Sequence, residues 1–124
     1  MGCYEHVVRE GKTEPVAPWE MPAMFYFTDR LQGLAPSDGK TVALRWVAQT
    51  HSYRASGHWR LKDANTIHVV WTTGLQGISV ELRRGSGGEM WTGRTVPFSD
   101  DGRAAPSVEV SIKKVADAEC DAFR

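Results

Sequence analysis

The chain has 124 residues, 41% of them hydrophobic, and fifteen basic side chains set against fifteen acidic ones. That length supports one domain with a modest core and not two, and the cancelled charge removes the field that would steer the chain onto nucleic acid or an anionic membrane. No apolar run approaches the length of a helical membrane span, and the N-terminus as given carries no apolar stretch of the secretion-signal type.

Taken in order, the chain opens on Met1-Gly2-Cys3. The Gly-Cys pair resembles the end of a bacterial lipoprotein signal, in which the cysteine becomes a lipidated first residue. That resemblance implies a domain on the outer side of a membrane, in a bacterial cell envelope or outside the cell, attached only through Cys3. The myristoylation pattern fails, because His6 stands where Ser or Thr is required. Cys3 and Cys120 each lie within five residues of an end. They read either as one disulfide stapling neighbouring first and last strands, with about 4 kcal/mol from closing so long a loop, or as two free thiols in the tails.

Residues 4–8 read as a short strand, followed by an extended arm punctuated by Pro15, Pro18 and Pro22 that Trp19 and Met21 would anchor. Residues 23–27 form a dense aromatic strand. Residues 28–33 carry the Thr cap and closing Gly of a single helical turn, and residues 35–39 read as a loop. Val42, Leu44, Trp46 and Ala48 then alternate with Thr41, Ala43, Arg45 and Val47, which predicts a strand with Trp46 facing the core.

The clearest pattern covers residues 53–84. Tyr53, Ala55, Gly57, Trp59 and Leu61 alternate with Arg54, Ser56, His58 and Arg60, the two-residue period of a half-buried strand. A turn at residues 62–65 leads to Ile67, Val69 and Trp71 facing the same way, and Gly74 and Gly77 separate these from Ile78, Val80 and Leu82. Three adjacent antiparallel strands with one apolar face fix their register, since a slip of one residue would put Trp59 and Trp71 in water.

Beyond this stretch, residues 85–88 form a glycine-rich hairpin loop without the lysine and following helix of a phosphate-cradling loop. Residues 90–96 predict a strand ended by Pro97, and Ser99 to Gly102 a turn whose two carboxylates are too few for a calcium loop. Val108, Val110 and Ile112 mark the final strand, and residues 116–124 a polar tail. Strands spaced by about ten residues with turn chemistry between them predict an all-β chain. The expectation is an antiparallel meander barrel of seven to eight strands over residues 23–115, preceded by an N-terminal strand and arm at 1–22 and followed by the tail at 116–124, with a β-sandwich as the alternative.

A small meander barrel carrying Gly57-His58-Trp59 resembles the calycins, the lipocalins and avidins, although at least one strand precedes the motif here. The resemblance implies a small apolar ligand held inside the barrel. Trp46, Tyr53, Trp59 and Trp71, with Met90 and Trp91, are the aromatic and soft walls that would contact it. The competing reading is that these rings fill a solid core. The opposite face then becomes the functional one, with Arg45, Arg54, His58, Arg60 and Arg83 meeting an acidic protein partner in a salt-sensitive way.

The residues offer two further chemistries. The hairpin parity makes His68 a neighbour of His58 and permits Glu81 beside it, a ligand set that suits zinc but equally a polar surface row. No Ser-His-Asp order, carboxylate pair or nucleophile elbow is present, which leaves only cyclase- or isomerase-type catalysis by cavity shape. No cofactor is called for.

Overall fold

The computed structural model describes residues 1–7, 18–103 and 105–124. Its strands are β1 (Gly2–His6), β2 (Met24–Ser37), β3 (Lys40–Gln49), β4 (Ser56–Asp63), β5 (Thr66–Thr72), β6 (Gln76–Arg84), β7 (Met90–Ser99) and β8 (Glu109–Val115). Each pairs antiparallel with its neighbour in sequence, and β8 returns to β1, so the sheet closes into a ring. The all-β antiparallel barrel expected from the turn spacing is the observed architecture. The end of the first expected strand, at Val8, and the arm over residues 9–17 lie outside the described residues.

Register follows the apolar alternation. Gly57, Trp59 and Leu61 stand opposite Trp71, Val69 and Ile67, which in turn stand opposite Ile78, Val80 and Leu82. The barrel interior is occupied by side chains from every strand, among them Tyr4, Phe25, Val47, Trp59, Trp71, Val80, Trp91 and Ile112. Trp71 is 0% exposed. Its indole passes over β4 where residue 57 has no side chain, and a Cβ built there would lie 2.5 Å from Trp71 Nε1. The glycine of Gly57-His58-Trp59 is therefore a packing requirement of the neighbouring tryptophan.

Four expectations are corrected. Residues 28–33 are not a helical turn: they belong to β2, with the register shifting between Phe27 and Leu31 and again before Gly33. The Thr28 signal was real but is used differently, since its hydroxyl accepts the Arg30 N–H and donates to the Trp46 carbonyl, holding a bulge in place of a cap. Residues 35–37 are strand as well, and Asp38 and Gly39, with φ of 50° and 75°, form a two-residue hairpin turn. The strand ended at Pro97 runs on to Ser99. The polar tail contains a 3-10 turn, Asp117–Cys120, whose Cys120 is fully buried.

That burial has a covalent cause. Cys3 and Cys120 form a disulfide with their Cα atoms 5.9 Å apart, so the last turn is fastened to the outer side of β1. Arg124 then lies over the Tyr26 ring at 5.4 Å and pairs with Asp117 and Asp121. The free-thiol alternative is not what the structure shows. The sulfur that lipidation of Cys3 would need is the one bonded to Cys120, so the two uses of Cys3 exclude each other.

Candidate functional site

The six side chains expected to wall a ligand do not share one cavity. Trp59, Trp71 and Trp91 are inside, Tyr53 lies at one end, and Trp46 and Met90 are outside, 37% and 39% exposed. Trp46 was expected to face the core; it faces out because Val47, its neighbour in β3, pairs with Gly57 and takes the inward position. Both sides of β3 are apolar, so its alternation does not distinguish in from out. Met90 pairs with Lys113 on the outer side and borders a surface groove of about 570 Å³ beside β8.

Inside, the rings touch one another. Phe27 lies 5.0 Å from Trp59 and 5.2 Å from Tyr4, and Phe25 lies 5.1 Å from Trp71. Their polar atoms are satisfied locally: Trp59 Nε1 donates to the Thr28 carbonyl at 2.8 Å and Trp71 Nε1 to Gln49 Oε1 at 3.3 Å. Both ends carry large side chains. At one, Tyr53 donates its hydroxyl to the Glu20 carbonyl and joins Met21 in the core cluster; burial pushes its phenol well above the usual tyrosine range. At the other, the Arg84 guanidinium lies 4.9 Å over the Trp91 ring.

The outer face is organised in rows across the strands. Trp46, His58, Val70, Ser79 and Val96 are successive partners from β3 to β7. Phe98, two residues beyond Val96, lies against Gly77 and is itself part exposed. The next row reads Arg60, His68, Glu81, Arg94 and Glu109. An apolar, aromatic strip thus runs beside a charged one. No protein-family model, curated protein or solved structure matches the chain.

Within the charged row His68 stands opposite Arg60 and Glu81, and His58 is its diagonal neighbour. Half-burial lowers the affinity of both imidazoles for protons, and Arg60 adds to the effect at His68. Glu81 accepts from Lys62 at 3.2 Å and meets Arg83 at 3.6 Å. Among the described residues no group of three His, Cys, Asp or Glu side chains could hold a metal ion. Of the five residues assigned to a basic outer face, His58, Arg60 and Arg83 are on it. Arg45 is not: it has inward parity and donates to the Asp29 carbonyl at 2.6 Å, while Arg54 lies in the connection before β4.

The apolar strip itself was not anticipated. Val70 was the exception to the alternation of its strand, and Val96 and Phe98 are spaced by two in β7. Those apolar residues on the polar parity were the available signal.

Proposed function

We propose that this chain is a non-catalytic protein-binding domain that works from the outside of its barrel. The observation that carries the reading is the ring-to-ring packing of Tyr4, Phe25, Phe27, Trp59 and Trp71 through the interior, where a small ligand would have to sit. The face offered to a partner is the strip of Trp46, Val70, Val96 and Phe98, bordered by a charged row in which Arg60 and Arg94 stand either side of Glu81, itself paired with Lys62 and Arg83. Such a face fits a protein surface with an apolar centre and an acidic rim. The Cys3–Cys120 disulfide supports an oxidising setting, a bacterial envelope or the outside of a cell.

Titration with the apolar dye ANS, followed by tryptophan emission at low and high salt, tests the reading. With the interior filled by rings, dye binding should be confined to the outer strip, weakened by salt and removed by Val96→Asp. Saturable, salt-insensitive binding that shifts the indole emission would favour a ligand inside the barrel instead. In the positive arm, a protein retained on the immobilised domain should be released by salt and should not be retained by Val96→Asp, because a carboxylate there interrupts the apolar strip and repels an acidic rim.

A further inference from the structure

Only three residue pairs join β3 to β4: Arg45 with Trp59, Trp46 with His58 and Val47 with Gly57. Beyond Arg45, β3 continues to Lys40 paired with β2 alone, so the β2–β3 ribbon leaves the ring as a two-stranded finger. A cleft of about 300 Å³ marks the fork, lined by Val42, Ala43, Arg45, Trp59, Arg60 and Leu61.

The turn of the finger decides which backbone groups are free. A two-residue turn at Asp38 and Gly39 makes Ser37 and Lys40 a hydrogen-bonded pair. Alternation then makes Val42 with Ala35 a hydrogen-bonded pair too, and turns the N–H and C=O of Thr41 and Ala43 away from β2. Natural edges are guarded by charge or proline. The outer edge of β2 carries Arg30 and Pro36, and the edge of β4 beyond Trp59 carries Arg60, Lys62 and Asp63. Thr41, Val42, Ala43 and Leu44 carry neither guard.

We propose that this edge pairs antiparallel with the same edge of a second copy of the chain, across a twofold axis at Val42. That register sets Thr41 opposite Ala43 of the other copy, twice, and these are the residues whose backbone groups point outward. Four interchain hydrogen bonds form with no change in either hairpin. Lys40 meets Leu44, so no like charges face each other. Asp38, at the tip of each finger, reaches the fork of the other copy, where Arg60, on the same outer side of the sheet, supplies the opposite charge. Arg60 Nη2 now reaches Ser37 Oγ at 3.3 Å across that fork, and a carboxylate is the stronger acceptor. Leu31 and Leu34, 57% and 68% exposed, come to lie on a continuous four-stranded sheet.

Sedimentation velocity over a wide concentration range should show a monomer–dimer equilibrium. Ala43→Pro removes an edge N–H without touching the β2 ladder, and should weaken dimerisation by roughly tenfold to a hundredfold. Val42→Cys places two thiols on the axis, at a non-hydrogen-bonded pair with Cα atoms about 4.5 Å apart, within disulfide range. Under mild oxidation it should give a covalent dimer, and Val96→Cys, away from the finger on β7, should not. A monomer at every concentration with no Val42→Cys dimer overturns the proposal. So does a dimer that survives Ala43→Pro and fails to cross-link through residue 42, since the copies would then meet elsewhere. Should Ala43→Pro fail to fold, the cross-linking result decides alone.

Discussion

At Gly57 a single missing carbon decides how three strands pack. An added Cβ would fall 2.5 Å from Trp71 Nε1 and 2.9 Å from the Val47 Cβ, and neither neighbour has space to move in a ring-filled interior. Gly57→Ala should cost about 1–3 kcal/mol, by the usual penalty for overpacking, read as a lower denaturation midpoint. Gly87, with nothing within 4 Å of its built Cβ, is the control, and Gly87→Ala should leave the midpoint nearly unchanged. Trp59→Ala removes a buried indole and the hydrogen bond to the Thr28 carbonyl, and should cost roughly 3–5 kcal/mol. A much smaller loss would mean that the indole borders open space.

Among the elements, β4, β5 and β6 were legible because each alternates, with Val70 the one exception in β5, and their register follows from burying Trp59, Trp71 and Val80 together. β3 was legible as a strand but not in its orientation, since apolar residues occupy both of its parities and only pairing to Gly57 selects Val47 as the inward one. The finger was hidden for another reason. Asp38-Gly39 is a strong hairpin signal, but Pro36 and the Thr28 cap signal compete with it locally, and tertiary pairing settles the outcome. The outer strip was hidden because its apolar residues, Trp46, Val70, Val96 and Phe98, come from three strands far apart in sequence, and no local window contains them. The paired rows of β4 and β5 also carry a pH dependence. His58 and His68 are half-buried and bind protons less readily than free imidazoles, so the unfolded chain takes up the protons first. Stability is full above the unfolded histidine range and is lost as pH falls through it, from about 7 towards 5. Melting temperature should therefore drop over that interval, and a His58→Gln, His68→Gln double variant should show a flatter profile.

For the molecule as a whole, the covalent bond between Cys3 and Cys120 spans 117 residues of sequence. It holds the Asp117–Cys120 turn against the outside of β1 and β2, with Arg124 on Tyr26. Cys120→Ser should cost about 2–5 kcal/mol, because the bridge restricts the unfolded chain chiefly through the length of the loop it closes. Chemical denaturation of the oxidised and substituted proteins measures this directly, and equal midpoints would mean that the closed ring of strands already supplies the constraint.

The pairing of β1 with β8 has a consequence for how the chain could be cut. A ring of strands in which every member has two neighbours contains no seam, so any hairpin connection could serve as the place where the polypeptide begins. The loop at Gly85 to Gly88, exposed and rich in glycine, is such a place, and the first and last strands already lie side by side for joining. In this architecture the order of strands around the circle is a physical property, whereas the starting strand is a convention of the gene.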